Sequence, residues 1–297
     1  MIKNIFLKNF KSFQSEEIPF NYLTVFSGIN GMGKSSAIQS LLLLRQSFLL
    51  GHLNANGGLF LDGEYSKPGN GKDIFYVGGG ENEMISIEII FFNSQNVIFH
   101  FKYAKDSDIQ PMSFLDINNF YFKSATIFND DFFYLNADRL SPERDVFPAS
   151  QSNIQKGNLG KHGQYAVHYI SNNARKPLDI TELKHPLAAT NNLLDNIDAW
   201  MREISPGIRI TPQFYPEINS ARLGYSYDIE TGKTEEFKPA NVGYGITYVL
   251  PIITQLLISK PGQTIIIENP ESHLHPSGQS TISKLCTLAA NNKVQII

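Results

Sequence analysis

The chain has 297 residues, 42% apolar and 12% aromatic, enough to bury a sizeable core, which excludes disorder as its default state. A formal charge of −3 gives no global attraction to nucleic acid, and lysine and arginine are scattered, so any such contact needs a local basic patch. One cysteine, Cys286, cannot form an internal disulfide; with no apolar run near the ~18 residues of a membrane span and no signal-peptide core after Met1, the composition points to a cytoplasmic protein without a membrane segment.

Apolar and polar residues alternate from Ile2 to Phe10 (Ile5, Leu7, Phe10), which predicts a strand, and Glu17 to Phe26 reads as a second β-rich stretch. Residues 28–35 then read Gly28-Ile29-Asn30-Gly31-Met32-Gly33-Lys34-Ser35, the pattern G-x-x-x-x-G-K-[ST]. In such a loop glycines turn backbone N–H groups inward around phosphates, the lysine reaches the β- and γ-phosphates, and the serine hydroxyl joins a Mg²⁺ shell. An apolar β-rich run, Tyr22 to Phe26, precedes it, and a helix-forming run, Ala37 to Leu44, follows. Strand, glycine loop and helix are the setting that a phosphate-binding loop requires.

Glycines and Pro68 mark residues 51–75 as loop, with room for one hairpin. Met84 to Phe92 and Val97 to Tyr103 predict a β-hairpin closed by Asn93-Ser94-Gln95-Asn96. Phe120 to Leu135 is again β-rich, and residues 145–175 turn polar and read as loop, partly mobile. Thr181 to Ile204 has helical spacing interrupted by Pro186, Ile208 to Ile229 returns to short strands, and Val249 to Ile258 is helix-like. Thr264-Ile265-Ile266-Ile267-Glu268 is a buried-strand run ending in an acid, Ser277 to Ala290 predicts a helix, and Lys293 to Ile297 reads as the start of another core strand. Cys286 falls in that helix as a small core residue.

Glu268 stands at the carboxyl end of its strand, where open parallel sheets bind ligands, and is the candidate to hold Mg²⁺ opposite Ser35. Two further segments carry a resemblance: Asn9-Phe10-Lys11-Ser12-Phe13 before the loop, and Glu268-Asn269-Pro270-Glu271-Ser272-His273-Leu274-His275-Pro276 after the strand. Together they resemble the ABC-type ATPase heads of the SMC, RecF and OLD families, and above all bacterial AAA-like ATPases with an E-N-P-E-x-H-L-H-P segment, many of them in anti-phage defence loci. The likeness covers the first 45 and last 60 residues well and the middle only in general pattern.

The resemblance implies an α/β P-loop NTPase: an ABC-ATPase-like head with mixed β-sheets and a helical and loop insertion. It divides the chain into an ATPase lobe (1–145), a polar, helical and β insertion (146–235), and a lobe with the signature-like loop and the acidic strand (236–297), the last stopping inside an element. It implies an ATP-dependent homodimer or higher homo-oligomer in which each nucleotide is held by one subunit's phosphate loop and the other's signature loop. Nucleotide-binding candidates are then Lys11, Asn30, Gly31, Gly33, Lys34, Ser35 and Ser36. Lys11 matches a basic residue near the α-phosphate, and Asn241, Gly243, Gly245 and Thr247 form the signature-like turn acting in trans, departing from the usual Leu-Ser-Gly-Gly.

The family places a water-polarising glutamate after the metal-binding acid, but here that position is Asn269, whose amide can orient a water and cannot take its proton. Glu271 is the nearest carboxylate to substitute. His273 and His275 have spacing that zinc sometimes uses, with no third ligand nearby, and the family uses this stretch for subunit contact. The usual Thr-His-Ser segment on the next strand is absent from the sequence, so either the chain is cut short there or it binds ATP with reduced hydrolysis; slow turnover, under ~1 s⁻¹ against a typical ~10 s⁻¹, is the expectation.

The leading expectation is an ATP-binding, slowly hydrolysing switch for a separate effector such as a nuclease, because no toprim-type or His-Asn-His centre is present; Asp130 and Asp131, beside Asp138, would point to opposite faces of a strand. A RecF-like DNA repair or chromosome-maintenance ATPase that binds DNA is the first alternative. A small-molecule kinase is the second, although only Arg139 and Arg144 lie beyond the hairpins and no lid-like arginine cluster exists.

Overall fold

A computed structural model describes residues 1–29, 31–53, 57–80, 82–117 and 121–297. The chain divides into two compact units, Met1–Phe132 with Ile297 and Phe133–Ile296.

The first unit is built on a six-stranded antiparallel sheet in the order β2-β1-β4-β5-β6-β3. Its strands are β1 (Ile2–Phe10), β2 (Phe13–Pro19), β3 (Gly58–Phe60), β4 (Met84–Phe91), β5 (Asn96–Lys102) and β6 (Ile109–Ile117). The alternation seen in the sequence buries Ile5 and Leu7 of β1, Ile85, Ile87 and Ile89 of β4, and Phe99 and Phe101 of β5. Helix α1 (Lys34–Leu49) is apolar on every side around Leu41–Leu44 and is correspondingly buried. Two of its buried polar residues bond to the segment that follows: the Gln46 amide donates to the carbonyls of Phe60 and Ser66 at 2.7 and 3.1 Å, and the Ser47 hydroxyl accepts from the Phe60 N–H at 2.8 Å. Phe48 of α1 and Phe99 of β5 both pack on Phe122 and Phe128.

Several local expectations are corrected in this unit. The second strand begins at Phe13 and stops at Pro19, earlier than Glu17–Phe26, because a proline ends donation to the ladder. Among the described residues of the glycine-rich 51–75 stretch there is no hairpin; β3 pairs with the distant β6, and a four-residue helix α2 (Gly71–Ile74) follows, closed by a capping box between Asn70 and Asp73. Strand β6 has no strand signature, since Pro111 lies within it; the ladder accommodates it next to a register shift at His100/Phe101. The β-rich reading of Phe120–Leu135 holds only at its end, Phe132–Leu135, which is a strand; before it lie two 3₁₀ turns, Phe122–Ser124 and Thr126–Phe128, and Phe120 lies outside the described residues.

The second unit contains two sheets. Strands β8 (Val146–Pro148), β9 (Ile208–Tyr215), β10 (Ser220–Ile229) and β11 (Gly232–Lys233) form one, with β10 paired to all three others. The other has the order β13-β12-β7, from β7 (Phe132–Leu135), β12 (Thr264–Ile267) and β13 (Gln295–Ile296), with β12 and β13 parallel. The helices are α3 (Gln151–Gln155), α4 (Ala166–Asn173), α5 (Leu193–Ile204), α6 (Tyr244–Leu257) and α7 (Pro276–Asn291). The polar 145–175 stretch is therefore not a loop: α4 buries Ala166, Val167, His168, Tyr169 and Ile170. The Thr181–Ile204 helix shortens to α5, with only a 3₁₀ turn, Thr181–Leu183, before Pro186. The Trp200 indole N–H donates to the Leu183 carbonyl at 3.0 Å and ties that turn to α5. Among the described residues no helix is long and apolar enough to cross a membrane.

Candidate functional site

The two halves of the sequence-predicted site fall in different units. In the first, the phosphate loop leads directly into α1, with Gly33 at its N-cap and Lys34 and Ser35 in its first turn. Orphan N–H groups and the helix dipole make such a terminus attractive to anions. Gly33 has φ +89°, and a Cβ there would lie 2.6 Å from the Ser12 hydroxyl and 2.9 Å from the Phe13 ring. The Asn9–Phe13 segment is thus packed against the loop. The Lys34 ammonium folds over the loop and donates to the carbonyls of Gly28 and Ile29 at 2.5 and 2.9 Å. Gly31 and Ser35 are exposed, Ser36 is half-buried, and Asn30 lies outside the described residues. Lys11 is half-buried with its backbone N–H bonded to the Ile74 carbonyl at 2.7 Å; burial pulls its pKa down, while the nearby Asp73 opposes the shift.

In the second unit β7 and β12 end side by side, the Glu268 N–H donating to the Leu135 carbonyl at 2.9 Å. The Glu268 carboxylate accepts from the Tyr134 hydroxyl and from the Ala137 N–H, with Arg139 close by. Burial raises its pKa and these three partners pull it back. Tyr134 is shifted upward, by burial first and then by the Glu268 carboxylate. Asn269 follows at φ 45°, in the left-handed region that asparagine tolerates, and Glu271 is exposed on the next turn. His275 is the N-cap of α7, its ring accepting from the Ser277 N–H, with Pro276 at the first helical position.

The signature-like turn opens α6, with Gly243 as N-cap. Asn241 and Gly243 are exposed, whereas Gly245 is buried against the backbone of His273. The Thr247 side chain faces inward, fully buried, its hydroxyl accepting from the Tyr225 hydroxyl at 3.1 Å. The acidic turn and this turn are close neighbours: the His273 ring packs on Tyr244 and Tyr248 of α6 at 4.6 and 5.1 Å.

Sequence reasoning missed the group at the centre of this half. Arg139 is buried, donates to the carbonyls of Asn136, Glu268 and Asn269, and lies over the Tyr248 ring at 4.2 Å. Burial lowers its pKa, countered by Tyr248, Glu271, Glu268 and Tyr134. One signal was present: Phe132-Phe133-Tyr134-Leu135 is a buried-strand run of the same kind as Thr264–Ile267, and its polar end belongs on the same sheet edge.

The sequence profile of the family described as "AAA domain, putative AbiEii toxin, Type IV TA system" matches residues 23–297. Among solved structures, an Smc head bound to the C-winged helix domain of ScpA gives a TM-score of 0.55 at 13% identity, over 100% of this chain and 88% of that chain. An Smc head domain with an extended coiled coil, bound to the C-terminal domain of ScpA derived from Pyrococcus furiosus, gives 0.52 at 14% identity, over 100% and 89%. No curated protein matches the chain. At such identities the likeness is one of fold, and it agrees with the mixed antiparallel and parallel sheets described above. The chain belongs to this AAA-domain family and has the fold of an SMC/ABC-like P-loop ATPase head.

Proposed function

We propose that the protein binds ATP with Mg²⁺, hydrolyses it slowly, and serves as a nucleotide-gated dimerising switch for a partner effector. The observation that carries this reading is the glycine loop at the start of α1, with Lys34 folded over its carbonyls, inside a family profile that runs through nearly the whole chain. Loop N–H groups and the α1 terminus hold phosphate oxygens, and Lys34 exchanges its two carbonyl acceptors for them. Ser35 and Glu268 are the hard oxygen donors assigned to Mg²⁺, and the donor type fits that ion. Held there, Mg²⁺ would supply charge that offsets the phosphates and a Lewis acid for the terminal phosphoryl group. Asn269 orients the attacking water, and Glu271, exposed on the same turn, is the carboxylate assigned to its proton. Lys11 is assigned to the α-phosphate, and the exposed Asn241 and Gly243 to a partner subunit's nucleotide.

Exposed apolar side chains beside the phosphate loop, Ile29 and Met32, support an interface on that face. The functional division assigned to the chain is an ATPase lobe (1–145), an insertion (146–235) that docks an effector, and a lobe (236–297) that senses the partner's nucleotide; it is a division of roles, distinct from the two compact units. The family description, with its putative AbiEii toxin of a type IV TA system, supports a role in defence; the effector class assigned is a separate nuclease. The buried single thiol, Cys286, is compatible with a cytoplasmic location.

Light-scattering mass measurement with and without ATP–Mg²⁺ tests the reading, beside Lys34→Ala. Wild type is expected to dimerise with nucleotide; Lys34→Ala is expected to stay monomeric and bind ATP about 10- to 100-fold more weakly, the worth of charge-assisted hydrogen bonds. A wild-type chain that binds ATP and stays monomeric sinks the dimerising switch, and one that does not bind ATP sinks the whole reading.

A further inference from the structure

Arg139 is only 3% exposed, yet among the described residues its hydrogen-bonded partners are carbonyls and not carboxylates. Its Nη1 donates to the carbonyls of Asn136 and Glu268 at 2.7 and 2.5 Å, and its Nη2 donates to the carbonyl of Asn269 at 2.7 Å. One face of the guanidinium covers the Tyr248 ring, and Nε is buried without a partner. Tyr248 in turn donates its hydroxyl to the Ala137 carbonyl. His273, five residues after Glu268, packs on Tyr248 and Tyr244. The contacts close a ring: the end of β7, the turn after β12, and the first two turns of α6.

A buried cation is a costly way to build a scaffold, because its desolvation is large and an apolar side chain of similar size packs without it. What a guanidinium supplies is a planar fork that grips two successive carbonyls and fixes the peptide between them. That peptide belongs to the two residues assigned to Mg²⁺ and to the attacking water. The carboxylate of Glu268 is oriented from the other side by the Tyr134 hydroxyl and the Ala137 N–H.

We propose that Arg139 is a positioning residue: it fixes the Glu268–Asn269 backbone so that the carboxylate is presented to Mg²⁺, and through Tyr248 and His273 it ties that turn to the signature-like start of α6. The inference rests on the ATP–Mg²⁺ reading above. Two local sites in one protomer, the metal-holding turn and the turn assigned to the partner's nucleotide, then move as one body.

The test compares binding of a non-hydrolysable ATP analogue with Mg²⁺ and with chelator in the full chain. Wild type gains affinity from Mg²⁺. Arg139→Lys is expected to keep its chelator affinity, which depends on the phosphate loop, and to lose about 10- to 100-fold of the Mg²⁺ gain, the range typical when a ligand's supporting partner is removed. The loss is expected to match that of Glu268→Gln, and the double variant to lose no more than either single one. A folded Arg139→Lys protein that keeps the full Mg²⁺ gain overturns the proposal, as does a loss that simply adds to that of Glu268→Gln. Should Arg139→Lys not fold, Tyr248→Leu, which removes the ring under the guanidinium, carries the same two titrations with the same expected and overturning results. Wild type with no Mg²⁺ gain counts against the ATP–Mg²⁺ reading itself, a distinct outcome.

Discussion

Gly245 and His273 meet backbone to backbone: a Cβ on the glycine would lie 2.2 Å from the histidine carbonyl oxygen. The Leu274 side chain, at 3.3 Å, leaves little room on the other side. Gly245→Ala must therefore push α6 away from the turn after β12, and the expected loss of stability is about 1–3 kcal/mol, the usual range for overpacking. Urea denaturation measures it. An alanine variant with an unchanged midpoint means that the two elements separate freely.

Gly33→Ala combines a steric conflict with a backbone one. Its φ of +89° disfavours any side chain, and the added Cβ meets Ser12 and Phe13. Binding of ATP is expected to weaken by about 5- to 30-fold or more, since the left-handed conformation alone costs about 1–2 kcal/mol in an L-residue. Repeating the substitution in a Phe13→Leu background relieves the ring contact and leaves the Ser12 contact and the backbone cost, so recovery is expected to be partial. Calorimetric titration of both proteins checks this, and full recovery means that only the ring matters.

Asp198 of α5 gives a pH signature. Its Oδ1 accepts the Ile210 N–H at 3.0 Å, and Arg209 approaches its other oxygen at 3.8 Å. Burial is the largest influence and lifts its pKa from 3.8 to about 6, against the pull of Ile210, Arg202 and Arg209 and with a small push from Asp195. A folded pKa above the unfolded value means stability present below about 4 and lost as pH rises through about 6, some ~3 kcal/mol in all. Asp198→Asn keeps an acceptor for Ile210 and removes the titration. Its stability relative to wild type is expected to rise between about pH 4 and about pH 8, read from denaturation midpoints. Parallel pH profiles for the two proteins contradict the assignment.

What was legible in the sequence was what the chain carries locally. The glycine loop and the Thr264–Ile267 strand are contiguous, so their letters suffice, and the structure shows α1, β12 and α7 where the patterns put them. Strand β6 was hidden because Pro111 argues against a ladder, and only a register shift in β5 and β6 reconciles the two. Helix α4 was hidden by the polar composition around it, although its Ala166–Ile170 segment is buried. Arg139 was invisible for a different reason. Two of its three acceptor carbonyls and the ring beneath it come from segments more than a hundred residues away, and no local pattern encodes such a meeting.

The left-handed backbone at Asn269 limits what that position can become. Asparagine is among the few side chains at ease at φ 45°, and a glutamate there carries about 1–2 kcal/mol of conformational cost. The peptide is gripped by an arginine 130 residues upstream, so the turn cannot relax to relieve it. Restoring a proton-accepting carboxylate at this slot therefore takes more than one codon: the handedness of the turn and the grip that sets it must change together. The amide is a property of the shape of the turn as much as of its chemistry: the backbone and the arginine that grips it select the side chain together.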